Sequence, residues 1–177
     1  MTKTFEQRAK NIRLLVLDVD GVLTDGSLAF TGEGELFKSF NVRDGLGIKL
    51  LQAAGIEVAI LTGRTSSIVA HRADELGMTR VEQGKLRKLP TLKKMLADAG
   101  LEPENLAYMG DDLPDLPCLK LAGLAATPAD GSSELDLVVD WRAPLPGGRG
   151  AVRAFAERIL RAQGKWESML EKLLAEE

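Results

Sequence analysis

The stretch Leu14-Leu15-Val16-Leu17-Asp18-Val19-Asp20-Gly21-Val22 constrains the fold more than any other: an apolar strand ends abruptly in two carboxylates and a glycine. In open α/β sheets ligands bind beyond the carboxyl ends of the strands, so Asp18 and Asp20 emerge where a substrate would sit. Taken alone, the same residues also read as a strand followed by an Asp-Gly turn. The rest of the chain has to decide between the two.

Further aliphatic runs recur at Glu57 to Leu61, Leu106 to Met109, Leu124 to Ala126 and Leu137 to Val139. Between the earlier ones lie helical patterns, Leu46 to Ala54, Ser67 to Leu76 and Leu89 to Ala99, followed by Gly55, Gly77 and Gly100 as stop signals. Helices are also expected over Ala151 to Ala162 and Glu167 to Leu174. Alternation of this kind predicts an α/β fold: a Rossmann-like, mainly parallel sheet with helices on both faces. One segment breaks it. Gly26 to Asn41 places two short apolar runs around Thr31-Gly32-Glu33-Gly34-Glu35, which predicts a β-hairpin flap after the first strand. At 177 residues one domain over 1–177 is expected, with the flap at about 26–41 and a C-terminal tail and helices at about 142–177.

Three more groups fall where a site at that sheet edge needs them. Leu61-Thr62-Gly63-Arg64 closes the second core strand, Lys88 precedes a helix, and Gly110-Asp111-Asp112-Leu113-Pro114-Asp115 follows Leu106 to Met109. A carboxylate can attack phosphorus and divide ester hydrolysis into two displacements, provided positive charge brings the two anions together. Asp18 is then the nucleophile. Mg²⁺, which prefers oxygen ligands, would be held by Asp18, the Asp20 carbonyl and Asp111. Thr62 and nearby N–H groups would hold a phosphate oxygen, Lys88 would offset charge, and Asp20 would act as general acid and then base.

With Asp-x-Asp, Thr, Lys and Gly-Asp-Asp-x-x-Asp in this order, the chain resembles the haloacid dehalogenase superfamily. A closer resemblance runs from about Asn11 to Lys165, through Asp18 to Gly26, Phe40-Asn41-Val42-Arg43-Asp44-Gly45 and Gly147-Gly148-Arg149-Gly150-Ala151-Val152-Arg153. These look like the family of 3-deoxy-D-manno-octulosonate 8-phosphate phosphatases. The resemblance implies Mg²⁺, a phosphorylated sugar acid as substrate, a lipopolysaccharide-precursor pathway and a homotetramer without a cap domain. Spacing independently leaves no room for a cap, because only 41 residues separate Asp20 from Thr62 and the flap, a helix and a strand use nearly all of them.

The resemblance also implies substrate contacts at Asp20, Asn41, Val42, Arg43, Asp44, Gly45, Lys49, Gly63, Arg64, Arg72, Lys88, Asp112 and Arg149. Guanidinium groups suit phosphate and carboxylate alike. Lys49 stands where relatives carry arginine and Asp112 where relatives carry asparagine, so both depart from the pattern. Lys88, immediately before the apolar helix start, is preferred over Lys85 as the charge partner. Asp115 would orient Lys88 or metal waters, or else serve as a first-turn helix acid. His71 reads as an ordinary helical histidine and Cys118 as a small buried hydrophobe. Phe30, Phe37 and Phe40 are candidates for a subunit contact.

Composition narrows the alternatives. A net charge of −3 offers no basic surplus for nucleic acid, and no segment has the uninterrupted apolar length of a membrane span. A single cysteine and no signal-peptide pattern fit a cytoplasmic protein. The remaining rivals are a phosphatase for a nine-carbon sugar-acid 9-phosphate, a phosphomutase, and a phosphosugar-binding oligomerisation module without turnover.

Overall fold

The computed structural model describes residues 3–175. In chain order its helices and strands are α1 (Phe5–Ala9), β1 (Leu14–Leu17), β2 (Ala29–Thr31), β3 (Gly34–Phe37), α2 (Val42–Ala53), β4 (Glu57–Leu61), α3 (Ser67–Glu75), β5 (Val81–Glu82), α4 (Lys88–Ala99), β6 (Leu106–Met109), α5 (Leu116–Leu121), β7 (Leu124–Thr127), β8 (Trp141–Arg142), α6 (Ala151–Ala162) and α7 (Trp166–Ala175).

Six strands form one sheet in the order β5-β4-β1-β6-β7-β8, and every neighbouring pair runs parallel. All four residues of β1 are buried, as expected for a central strand covered on both faces. The strand period of two then sorts the core. Leu15, Leu17, Val58, Ile60, Ala107 and Met109 pack on one face with residues of α1, α2, α6 and α7, while Leu14, Val16, Ala59, Leu61, Leu106 and Tyr108 pack on the other with α4 and α5. On the first face Phe5, Trp141 and Phe155 form an aromatic cluster with ring centroids 5.5 to 6.2 Å apart. Crossing from β1 to β4 on one side and to β6 on the other puts a topological switch at β1, so the loops after β1, β4 and β6 open together.

Between β1 and β4 the chain holds only the hairpin β2-β3 and α2, so no cap domain is present there. The hairpin is a separate antiparallel sheet with an irregular register between Ala29 and Phe30. Leu28, Phe30, Leu36 and Phe37 on it are each about half exposed. Among the described residues no helix is long and apolar enough to cross a membrane.

Two expectations change. The Leu137 to Val139 run is not a strand: Ser133–Leu137 forms a 3₁₀ turn, and the edge strand comes later at Trp141–Arg142. Here β-branched composition loses to the tertiary context: Trp141 stacks on Phe155, and the Arg142 guanidinium donates to the carbonyls of Pro128, Gly131 and Ser132. Likewise α2 starts at Val42 rather than Leu46, because the Asn41 side chain accepts from the Arg43 N–H at 2.8 Å and caps it.

The tail before α6 lies directly on the loop after β1. Gly148 N–H donates to the Val22 carbonyl at 2.9 Å, and a Cβ on Gly147 would fall 1.8 Å from the Gly21 carbonyl oxygen. Backbone meets backbone there, so nothing flexible can yield. Gly147→Ala is therefore expected to destabilise the protein by about 1–3 kcal/mol or more and to displace the Asp18–Asp20 loop, read as a lower denaturation midpoint together with lost activity.

Candidate active site

Backbone ladders deliver the acids. Asp18 continues β1 by donating its N–H to the Met109 carbonyl at 3.0 Å, and Asp111 follows β6, so the two carboxylates come from adjacent parallel strands. Gly21, at φ 90°, turns the chain, and a Cβ there would lie 2.0 Å from an Asp111 carboxylate oxygen. Thr62 directly follows β4, with its N–H held by the Glu82 carbonyl at 2.9 Å, and its hydroxyl oxygen faces the Arg64 N–H at 3.5 Å.

Lys88, at the first position of α4, is buried with its Nζ 2.9 Å from an Asp18 oxygen and 2.7 Å from an Asp115 oxygen. Asp115 also accepts from the Tyr108 hydroxyl at 2.7 Å and from the Asp111 N–H at 3.2 Å. Asp115 is thus the brace that orients Lys88. Lys85 instead pairs with Glu82 at the surface.

Burial raises the Asp18 carboxyl to about 6; the Asp115 charge adds to this and Lys88 opposes it. Burial raises Asp111 to about 8, helped by the charges of Asp18 and Asp115. For Lys88, burial alone would lower the pKa, but Asp18 and Asp115 outweigh it and hold the ammonium charged. Burial also pushes Cys118 to about 12, with the Asp115 charge adding, which makes the thiol chemically quiet.

Carboxylate oxygens of Asp18, Asp111 and Asp115 lie within 4.8 Å of one another, an all-oxygen set of the kind hard divalent cations prefer. Asp115 is already committed to Lys88 and Tyr108. Asp18 and Asp111 therefore have the freer oxygens, and the donor chemistry fits Mg²⁺.

A cleft of about 280 Å³ is lined by Asp18, Asp20, Thr62, Gly63, Arg64, Lys88, Asp111 and Asp112, together with Leu86 and Pro114. The structure thus brings together every predicted catalytic and metal residue. It does not bring the other predicted substrate contacts to this cleft within one chain. Asn41 caps α2, and Val42 is exposed on its first turn. Asp44 is buried and accepts from the N–H groups of Gly150 at 3.1 Å and Arg153 at 2.8 Å, so its carboxylate caps α6 instead of facing a ligand. Gly45 lies against the Arg72 guanidinium, which pairs with Glu75 at 2.7 Å and covers the Phe40 ring at 5.8 Å. The exposed Lys49 extends toward Gly77. Arg43 and Arg149 line a separate groove of about 550 Å³ with Arg153, and Arg149 lies 3.8 Å from Asp25.

Sequence reasoning missed Lys38. Its side chain leaves the hairpin, is only 1% exposed, and forms an ion pair with Asp20 and another with Glu35 at 3.2 Å. Glu35 in turn accepts from the Ser66 hydroxyl. The available signal was a lone cation among Leu36, Phe37 and Phe40.

No protein-family model matches the chain. Among curated proteins, 3-deoxy-D-manno-octulosonate 8-phosphate phosphatase KdsC of Escherichia coli is 46% identical over 158 residues, covering 89% of this chain and 84% of the relative. The chain belongs to the 3-deoxy-D-manno-octulosonate 8-phosphate phosphatase family. Solved structures of family members superpose closely. The Yersinia pestis phosphatase gives a TM-score of 0.90 at 45% identity, covering 92% of this chain and 88% of that one. The Moraxella catarrhalis phosphatase, in complex with magnesium ion, phosphate ion and a KDO molecule, gives 0.93 at 40% identity, covering 96% and 97%. A cobalt-bound Haemophilus influenzae phosphatase gives 0.88 at 44%, covering 90% and 94%.

The raised carboxyl pKa values carry a testable sign. Between the ordinary value of 3.8 and about 8 the folded metal-free protein binds more protons than the unfolded chain, so its stability falls as pH rises through that window. A cation at Asp18 and Asp111 replaces those protons. The Mg²⁺-induced rise in Tm is expected to grow from about pH 5 to about pH 8 and to disappear in Asp111→Asn, as followed by calorimetry. A rise independent of pH would refute the cluster's protonation.

Proposed function

We propose that this chain is a Mg²⁺-dependent phosphatase that hydrolyses 3-deoxy-D-manno-octulosonate 8-phosphate to the free sugar acid and phosphate through a phospho-aspartyl intermediate on Asp18. The observation that carries the reading is the buried Asp18–Lys88 pair at 2.9 Å, beside Asp111, in a chain of this family.

Asp18 attacks phosphorus in line with the leaving sugar oxygen, forming the acyl phosphate. The Thr62 hydroxyl and neighbouring N–H groups hold a phosphate oxygen, while Lys88 offsets charge on the transferring group. Asp20, two residues beyond Asp18 and lining the same cleft, protonates the departing alkoxide and then takes a proton from the water that cleaves the acyl phosphate. When bound, Mg²⁺ held by Asp18, Asp111 and the Asp20 carbonyl neutralises the repulsion between nucleophile and phosphate. Arg64, half exposed and lining the cleft, would meet the sugar acid, a role its guanidinium geometry supports.

The same reading places the enzyme in lipopolysaccharide-precursor synthesis in the cytoplasm, as a homotetramer. Exposed Leu28, Phe30, Leu36 and Phe37 on the hairpin support an assembled form, since large exposed apolar side chains beside an uncapped site favour a covering partner. Arg149 lies away from the cleft of its own chain, which supports a role at a neighbouring subunit's site.

Phosphate release from a panel of sugar-acid phosphates with Mg²⁺ tests the substrate: the eight-carbon 8-phosphate should be turned over at least about tenfold better, in kcat/KM, than a nine-carbon 9-phosphate, without a bisphosphate activator. Asp18→Asn should lower kcat by about 10³-fold or more and abolish phosphoenzyme. Normal turnover by that variant would exclude the mechanism. For the assembly, Arg149→Ala and Asp18→Asn proteins, each nearly inactive, should regain partial activity when co-assembled, because some sites then draw an intact Asp18 and an intact Arg149 from different chains. Mixed oligomers confirmed by mass yet showing no recovery would remove Arg149 from the neighbouring site.

A further inference from the structure

The hairpin shares no ladder with the main sheet, so its place beside the cleft rests on side chains. Polar and cation–π contacts tie it to the loops after β1 and β4: Lys38 with Asp20, Glu35 with the Ser66 hydroxyl, and the Arg64 guanidinium over the Phe30 ring at 5.6 Å. Lysine is almost never fully buried unless paired, and Lys38 is paired twice, with Asp20 and with Glu35. Ser66 also caps α3, four residues past Thr62. The chain Ser66–Glu35–Lys38–Asp20 therefore ties the loop after β4 to the loop after β1 across the cleft.

Asp20 itself has few restraints. Among the described residues its carboxylate takes one side-chain hydrogen bond, from Lys38 to Oδ1. Arg64 lies 3.9 Å from Oδ2 and is 44% exposed, too distant for a hydrogen bond and too solvated to fix an orientation. General acid catalysis needs the carboxyl within hydrogen-bond reach of the leaving oxygen, so a freely rotating Asp20 would lose rate.

We propose that Lys38 is the positioning residue for Asp20: from the hairpin it grips one carboxylate oxygen and leaves the other aimed at the leaving group, with Glu35 and Ser66 anchoring Lys38 in turn. The inference rests on the acid–base role of Asp20 stated above. It makes the hairpin part of the catalytic apparatus of its own chain, in addition to any contact it makes with another.

The test compares the rate of the first turnover, in which the alcohol leaves, for a sugar-alcohol phosphate and for p-nitrophenyl phosphate, whose leaving group needs no proton. Lys38→Met should slow the sugar phosphate by about 10- to 100-fold with KM changed less than about threefold, and should slow the aryl ester by less than about threefold. Asp20→Asn should show the same preference more strongly, and the Lys38→Met/Asp20→Asn double variant should be no slower than Asp20→Asn alone. Lys38→Arg, which keeps a cation, should recover much of the sugar-phosphate rate and guards against a folding defect, with Tm measured for each protein. Equal loss by Lys38→Met on both esters, or defects that multiply in the double variant, overturn the positioning role while leaving Asp20 in place. Loss of both esters alike by Asp20→Asn would overturn the acid role of Asp20 and the inference with it.

Discussion

A buried ammonium, Lys88, held between two carboxylates is the interaction on which the site depends. Asp18, Asp111 and Asp115 crowd their oxygens within 4.8 Å, an arrangement that like-charge repulsion and burial would open if no cation lay among them. Lys88 answers part of that charge at 2.9 and 2.7 Å, and the Tyr108 hydroxyl and Asp111 N–H satisfy what remains on Asp115. A buried pair of this sort adds little net stability, because desolvation opposes the Coulomb gain. In the proposed mechanism its value lies in leaving Asp18 with one partnered oxygen and one for phosphorus.

Around that cluster the fold spends glycines and a buried acid on bringing chain segments together. Gly21 lets Asp111 approach the loop after β1, and Gly147 lets the tail lie on the same loop. Asp44 joins α2 to the start of α6, where Gly150 provides no side-chain cap of its own. Burial pushes the Asp44 carboxyl up in pKa, opposed by the N–H groups of Arg153, Gly150 and Val152. The Asn41 to Gly45 and Gly147 to Arg153 segments thus meet each other. Their positions in one chain are explained by helix capping, while Arg43, Arg149 and Arg153 share a groove outside the cleft.

The hairpin is too small to bury its own apolar side chains. From it Lys38 reaches Asp20 and Glu35 reaches Ser66, while Leu28, Phe30, Leu36 and Phe37 are each about half exposed. A two-stranded unit is marginal alone, so these ion pairs and any apolar partner are what hold it in register.

From sequence alone the parallel α/β arrangement, the hairpin, the missing cap and the convergence of Asp18, Asp20, Thr62, Lys88 and Asp111 were all legible, because each follows from strand ends and from spacing too short for another domain. The preference for Lys88 over Lys85 came from the family resemblance, which places a lysine immediately before the apolar helix start. Other features needed the tertiary structure. The run Leu137 to Val139 has strand composition, yet the edge strand forms at Trp141–Arg142, where aromatic stacking and the contacts of Arg142 are made. Whether Asp44 met a ligand or a helix end, whether Asp115 braced Lys88, and that Lys38 reached Asp20 all turn on contacts between residues distant along the chain. Periodicity and motif order determine which residues arrive at an edge of the sheet; which of them touch is decided by the packing of loops and helices in three dimensions.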